Sequence, residues 1–241
     1  KTRLAKTLKE PVEKQGGYFL TGKFDQLCRP EPYTAFCMAF TEFTALVVER
    51  GDEAIASVSD AIHAAVGNEV SVLTSMIPSL ERIVGRAAND SASKAKADNA
   101  IQRFVFVFRM FMRAVCSPEQ PMVILVDDLQ WADPCSLDLL MSLVADTRNE
   151  GLVLVGTCRD DITPCSYLSA KLRDMEDKGH VEITSISLQN FSELSIVSVL
   201  SNTLSLSREK SITLGAIVFR QTQGNIFYVI QFIHWLQEGD L

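Results

Sequence analysis

The stretch from Pro121 to Asp133 constrains the fold more than any other part of this 241-residue sequence. An unbroken apolar run, Met122 to Val126, leads directly into two adjacent carboxylates, Asp127 and Asp128. Such a run is typical of a strand that is covered on both faces, as in parallel sheets flanked by helices. We therefore predict an α/β fold in which the two acids lie at the carboxyl end of an internal strand.

The paired acids have two interpretations. Open α/β sheets bind their ligands at the carboxyl ends of the strands, and buried carboxylates there need a cation or hydrogen-bond donors. On a functional interpretation, Asp127 holds Mg²⁺ directly or through water and Asp128 orients or polarises an attacking water, as in a Walker B site. On a structural interpretation, the strand ends in a solvated turn. The two acids alone do not separate these possibilities.

The longer motif separates them. The string Asp128-Leu-Gln-Trp-Ala-Asp133, followed by Ser136-Leu137, closely resembles the signature of predicted signalling ATPases in the origin-recognition-like branch of the AAA superfamily. These proteins resemble STAND-type switch ATPases and usually sit inside large multidomain proteins. The resemblance implies a P-loop NTPase sheet flanked by helices, with a small helical lid and with ATP and Mg²⁺ as cofactors. It implies kinase, cyclase or sensor domains of the same polypeptide as partners.

Composition bounds the other possibilities. The 47% of hydrophobic residues predicts a globular protein, and the net charge of −7 argues against a general nucleic-acid-binding surface. The six cysteines form no Cys-x-x-Cys pair, so we expect reduced thiols and no zinc site. No apolar run approaches the roughly 18 residues of a membrane span. We therefore expect a soluble, cytoplasmic protein with no membrane partner.

The first residues, Lys1 and Thr2, open a predicted helix and again have two interpretations. They are either an ordinary basic helix start or, as the resemblance implies, the end of a P-loop whose lysine reaches the β- and γ-phosphates and whose threonine binds Mg²⁺. On the second interpretation, the phosphate-binding glycines and the first core strand precede Lys1. We then expect residues 1–241 alone to bind ATP weakly and to aggregate, and natural upstream residues to restore both properties.

A second apolar strand is predicted from Leu152 to Thr157, and it delivers Arg159 to the same edge of the sheet. The resemblance implies that Arg159 senses the terminal phosphate, since a guanidinium can donate two parallel bonds to phosphate oxygens. The alternative is that Arg159 pairs with Asp160 or Asp161. We expect this strand to lie beside the first one, with neither at an exposed edge.

Other segments carry structural predictions. A short strand between Gly16 and Gln26 resembles the family's Gly-Lys-Phe-Asp-Gln segment, but it gives Lys23 no role that its chemistry justifies. Asp133, followed by a proline, is predicted to cap a helix rather than to act in catalysis. Residues 85–98 are rich in small and charged side chains, which predicts a mobile loop before a helix over residues 100–115.

The C-terminal part changes from strand to helix. Residues 180–187 are predicted to form a further strand, and Asn190 is predicted to cap the helix that follows. We therefore place the NTPase core at residues 1–188 and the lid at residues 189–241. In the related family a Gly-Asn-Pro turn of the lid lies against adenine, which implies a nucleotide contact at Asn225, although Ile226 replaces the proline here.

Two functions follow from these observations. The first is ATP binding with slow, Mg²⁺-dependent hydrolysis, used as a conformational switch that joins core and lid. In it Lys1 neutralises phosphate charge, Thr2 and Asp127 hold Mg²⁺, Asp128 positions water and Arg159 reads the γ-phosphate. The second is a nucleotide-binding or structural scaffold without turnover that links kinase and sensor domains.

Overall fold

The structure is a computed structural model, and it describes residues 1–26, 32–86, 97–159, 167–178 and 181–238. The chain divides into two compact units, Lys1–Ile183 and Thr184–Leu241. The assignment of a catalytic core and a nucleotide lid to residues 1–188 and 189–241 stays a prediction.

The first unit contains a sheet and nine described helices. The strands are β1 (Tyr18–Lys23), β2 (Met122–Asp127) and β3 (Leu152–Gly156). The helices are α1 (Thr2–Ala5), α2 (Lys9–Lys14), α3 (Thr34–Glu49), α4 (Asp52–Val66), α5 (Val70–Met76), α6 (Glu81–Val84), α7 (Ala97–Val115), α8 (Pro134–Val144) and α9 (Tyr167–Lys178). Short 3₁₀ turns occupy Lys6–Leu8, Gly67–Glu69, Pro78–Leu80 and Leu129–Trp131.

The described sheet is parallel, with the strand order β1-β2-β3. Lys23 is the register partner of Asp127, and Val126 is the partner of Gly156. All five apolar residues of β2 are buried, as the unbroken run predicts. The predicted α/β class, with a parallel sheet flanked by helices, is confirmed.

The prediction that neither apolar strand lies at an edge is wrong for β3. Within the described residues β3 pairs only with β2, and Val153 is 50% exposed. Although β3 is apolar on both faces, its described neighbours leave part of its apolar surface exposed. The opposite edge differs, because the Glu42 side chain accepts hydrogen bonds from the Thr21 backbone N–H at 2.7 Å and from its hydroxyl at 2.8 Å.

The main core lies between the sheet and helices α3, α4 and α7. The predicted aromatic stripe of α3 is buried there, and Phe40 packs edge-on against Phe108 and Phe111 of α7 with ring centroids 5.0 and 5.3 Å apart. Gly22 of β1 permits this packing, because a Cβ atom there would lie 2.3 Å from the Ala35 carbonyl oxygen. The other face of the sheet carries a smaller buried cluster: Phe19, Val123 and Leu125, against which Ala5, Val12 and Val155 pack.

A buried ionic cluster joins α7 to the end of α8. The Asp146 carboxylate is 3% exposed and accepts bonds from Arg113 Nη2 at 2.6 Å and Arg109 Nε at 3.1 Å. Burial raises the pKa of Asp146, but the hydrogen bonds and charges of Arg113 and Arg109, with a backbone bond from Arg148, outweigh it. The net effect is a pKa below the ordinary value of this carboxyl.

The second unit is helical, with α10 (Glu193–Leu204), α11 (Arg208–Thr222) and α12 (Ile226–Glu238). It has its own core: Ile196, Leu200, Val218, Val229 and Ile233. The prediction that Asn190 caps α10 is wrong, because the Ser192 hydroxyl accepts the Ser195 N–H at 3.2 Å. The Asn190 amide instead donates to the Gln223 carbonyl at 3.0 Å, so the cap lies two residues later than the motif indicates.

Two further predictions change at the element boundaries. Residues 181–187 form no strand, and Ile186 is 74% exposed, so the imperfect alternation there gives no buried face. The proposed loop over residues 85–98 falls mostly on residues 87–96, which lie outside the described residues. Its last two residues, 97 and 98, already belong to α7.

Candidate functional site

Several segments of the first unit meet at the carboxyl end of β2. The parallel register brings the end of β1 beside Asp127, and backbone bonds continue the pairing beyond β3, since Thr157 N–H donates to the Val126 carbonyl at 3.0 Å. The start of α1 reaches the same place through side chains. Three segments distant in sequence therefore surround the paired acids.

Asp127 is half-buried, and hydroxyl groups hold both of its carboxylate oxygens. The Thr2 hydroxyl donates to Oδ2 at 2.6 Å, across 125 positions of sequence. The Thr157 hydroxyl donates to Oδ1. A threonine hydroxyl and a carboxylate in direct contact are the hard oxygen ligands that Mg²⁺ prefers. The residues present therefore fit a magnesium ion.

Lys1 lies beside this pair. Its ammonium donates to the Cys158 carbonyl at 2.6 Å, so it is held at the segment that leads into Arg159. The structure thus brings Lys1, Thr2 and Asp127 to one edge of the sheet, together with the backbone of residues 157–159. Their roles toward a nucleotide stay predictions.

Asp128 occupies a strained position at the turn after β2. Its backbone is left-handed, with φ 59° and ψ 46°, a region that few residues other than glycine, asparagine and aspartate adopt. Its N–H donates to the Thr157 hydroxyl at 3.2 Å. Lys23 Nζ lies 3.4 Å from Oδ2, and the Gln130 amide donates to Oδ1 at 3.0 Å. Both carboxylate oxygens of Asp128 are therefore engaged.

Arg159 is tied to the same network through its backbone. Its N–H donates to Gln130 Oε1 at 3.2 Å, and its side chain is exposed. The alternative pairing with Asp160 or Asp161 lies outside the described residues, so it remains open beside the predicted γ-phosphate role.

Asp133 is a helix cap, as predicted. Its carboxylate accepts the Ser136 N–H at 2.9 Å at the start of α8, and the buried Ser136 hydroxyl also donates to it. The same hydroxyl accepts the Tyr33 backbone N–H at 2.9 Å. Asp133 and Ser136 thus fix the chain before α3 against the start of α8, which is a structural role.

Asn225 belongs to the second unit and begins α12. Its side-chain oxygen accepts the Phe227 N–H at 3.0 Å, and its carbonyl accepts the Val229 N–H at 3.0 Å. The adjacent Gly224 has φ 76°, and a Cβ there would lie 2.0 Å from the Phe191 carbonyl oxygen. The turn is therefore well defined without a proline, while the nucleotide contact at Asn225 stays a prediction.

Three site residues escaped the sequence reasoning: Thr157, Lys23 and Gln130. Each lies just at or beyond the carboxyl end of a predicted parallel strand. That position could have identified Thr157 and Lys23, because neighbouring parallel strands place their last residues side by side. The partner of Gln130 depends on the left-handed turn at Asp128, which the sequence does not indicate.

Cysteine and histidine do not contribute a metal centre within the described ranges. No group of three or more His, Cys, Asp or Glu side chains there could hold a metal ion. The described cysteines at 37, 116, 135 and 158 are free thiols, and burial raises the pKa of Cys116 to about 11. A cation at Asp127 would therefore depend on Thr2 and on ligands such as phosphate and water.

A family model described as an AAA ATPase domain matches residues 1–155. The chain belongs to this family. The match includes Lys1, Thr2 and both acids of β2, whereas Arg159 and Asn225 lie beyond it.

The AAA ATPase domain also resembles part of a curated protein. It is 30% identical over 126 residues, or 52% of the chain, to hybrid signal transduction histidine kinase G of Dictyostelium discoideum. The aligned region is 4% of that kinase, so the domain spans a small part of its relative. No solved structure matches at a significant level. None of the helices in the described ranges is both long and apolar enough to cross a membrane.

Proposed function

We propose that this AAA ATPase domain binds Mg-ATP and hydrolyses it slowly, as a conformational switch within a larger signalling protein of the origin-recognition-like, STAND-like type. The contact between the Thr2 hydroxyl and the Asp127 carboxylate carries the proposal. In this proposal Thr2 is the last residue of a P-loop, Lys1 is its lysine and Asp127 is the Walker B acid. The similarity to part of a signalling histidine kinase supports the signalling context.

The division of labour follows from charge. Lys1 neutralises phosphate oxygens, while Thr2 and Asp127 hold the cation, which supplies further charge stabilisation when bound. Asp128 orients water, and Arg159 donates to the γ-phosphate. All of these contributions are positioning and electrostatics, which phosphoryl transfer chiefly requires.

One observation favours the second candidate, a nucleotide-binding scaffold without turnover. Lys23 Nζ lies 3.4 Å from Asp128 Oδ2, where it competes with an attacking water for that oxygen. In that case nucleotide binding alone carries the signal. The two candidates share the Mg-ATP site and differ in whether ATP is consumed.

The decisive experiment measures ATP affinity with and without Mg²⁺ in the full natural protein that carries this sequence. We expect Asp127→Asn to lower the Mg²⁺-dependent affinity at least about tenfold, because an amide is a poorer cation ligand. Asp60→Asn, which removes an exposed carboxylate of α4, is the matched control and should bind like the parent. Equal affinity in the parent and in Asp127→Asn would refute the assignment of Asp127.

The nucleotide preference tests Arg159 separately. We expect Arg159→Ala to lower the ratio of ATP to ADP affinity about tenfold, because a charged hydrogen bond to the γ-phosphate is lost. Arg173→Ala, an exposed position on α9, should keep the ratio. An equal loss of affinity for both nucleotides would contradict a γ-phosphate contact.

A further inference from the structure

The Gln130 side chain links Asp128, at the end of β2, to Arg159, in the segment after β3. It lies in the 3₁₀ turn Leu129–Trp131, directly after the acids of β2. Its amide nitrogen donates to Asp128 Oδ1 at 3.0 Å, and its amide oxygen accepts the Arg159 N–H at 3.2 Å. The side chain therefore spans the gap between β2's acids and the segment after β3.

The chemistry of the partners fixes the orientation of this amide. A carboxylate oxygen only accepts hydrogen bonds, and a backbone N–H only donates them. The amide nitrogen must therefore face Asp128 while the oxygen faces Arg159. Of the side chains that match glutamine in length, methionine offers neither bond and an ionised glutamate offers only the acceptor.

The bridge differs from the other ties between these segments. The Thr157 hydroxyl and carbonyl bind the backbone of Asp128 and Leu129 at 3.2 and 2.9 Å, which joins the strand ends. Gln130 reaches two residues further and contacts the Asp128 carboxylate itself. A shift of the Arg159 backbone would consequently move the Asp128 carboxylate.

We propose that Gln130 is a positioning residue that couples the orientation of the Asp128 carboxylate to the position of Arg159, an inference that rests on the proposed ATPase function. Displacement of Arg159 when the γ-phosphate leaves then releases Asp128 from its oriented position. By the reciprocity of linked equilibria, the state of Asp128 biases the placement of Arg159.

The first test follows ATP turnover in the full natural protein. We expect Gln130→Met to lower kcat about tenfold with KM changed less than about twofold, since orientation rather than binding is lost. Gln15→Met, which makes the same change at an exposed position after α2, should match the parent. A change in KM with kcat preserved would show a structural role and overturn the proposal.

The pH dependence of kcat tests whether the Gln130 side chain must both donate to Asp128 and accept from Arg159. In Gln130→Glu the introduced carboxyl faces Asp128, and in its ionised form it accepts hydrogen bonds but donates none. When protonated, that carboxyl can donate to Asp128 and accept from Arg159 together. We expect the kcat of Gln130→Glu, relative to parent, to recover as pH falls, whereas Gln130→Met shows no recovery. Identical profiles for both variants would contradict the bridge.

Hydrogen exchange at the Arg159 amide tests the coupling without nucleotide. We expect Gln130→Met to speed this exchange about fivefold by removing the acceptor, and Asp128→Ala to speed it about twofold by freeing the Gln130 amide. Unchanged exchange in both variants would overturn the coupling. Failure of the parent to bind Mg-ATP would instead refute the ATPase function and leave the exchange result to decide the bridge.

Discussion

At the residue scale, Lys23 forms an ion pair with the carboxylate of Asp128, the second acid after β2. The Lys23 ammonium lies 3.4 Å from Oδ2 and competes with water for that oxygen. Lys23 is 58% exposed, so solvent screens the pair and its effect is modest. If Asp128 orients the attacking water, as proposed, Lys23 therefore slows hydrolysis and is not required for it.

We expect Lys23→Met to raise the ATP hydrolysis rate about twofold to fivefold, and to do so only while Asp128 is present. We expect Asp128→Asn to lower hydrolysis while ATP binding is kept, and the added Lys23→Met change should then have no effect. Lys14→Met, at an exposed pair with Glu10, controls for the loss of a surface lysine. Slower hydrolysis in Lys23→Met, or an effect that persists without Asp128, would contradict the inhibitory role of Lys23. Absence of hydrolysis in all variants would favour the scaffold.

At the scale of elements, the buried carboxylate of Asp146 fastens α7 to the chain that follows α8. We expect Asp146→Asn to lower the free energy of unfolding by about 2 kcal/mol at neutral pH, because charged hydrogen bonds to two arginines are lost. Asp138→Asn, which disrupts an exposed pair with Lys171, should cost less than about 1 kcal/mol. Chemical denaturation of the three proteins measures both values.

The pH dependence of this difference follows from the lowered pKa of Asp146. A carboxyl whose pKa is lower in the folded state contributes stability above its ordinary pKa of 3.8, and loses that contribution as pH falls through the folded value. The stability difference between parent and Asp146→Asn should therefore be constant near neutral pH and shrink below about pH 4. A difference that grows on acidification would contradict this assignment.

Most helices and strands were predictable from the sequence. The exceptions depend on which segments pair with each other or on side chains that compete for one cap position. The unbroken apolar run Met122–Val126 and the helical spacing of the aromatic stripe of α3 each predict burial from the local order of residues. The exposure of Val153 and the absence of a strand over residues 181–187 depend on which neighbours are paired, which periodicity does not encode. The cap at Ser192 displaced Asn190 because several side chains in that segment can serve as caps.

The part of the candidate site that the acidic motif after β2 and the Lys1-Thr2 start describe was predictable from the sequence. The acids of β2 and the Lys1-Thr2 start meet as the resemblance implies, because parallel strands deliver their ends to one edge. The contacts of Lys23 and Gln130 with Asp128 were not predictable, since they depend on strand register and on a left-handed backbone.

At the scale of the molecule, we expect self-association to take place at the outer edge of β3. A partly exposed apolar strand without a described partner on one side can pair with another chain. We expect residues 1–241 to self-associate, and Val153→Lys to shift them toward monomer in sedimentation velocity. Ile186→Lys removes an equally apolar, more exposed side chain outside any strand. Equal effects of both substitutions would indicate nonspecific hydrophobic association instead of pairing between strand edges.

The two rims of the sheet have unequal capacity for further strands. On the β1 side, the Glu42 carboxylate occupies the Thr21 N–H that an incoming strand would need. Among the described strands, β3 is therefore the one beside which we expect a further strand to pair. Any strand that joined there would turn β3 from a rim into an interior strand and would move Thr157 and Arg159 from the margin of the sheet toward its middle. A further strand on this side would thus also enclose Thr157 and Arg159 between its own end and the acids of β2.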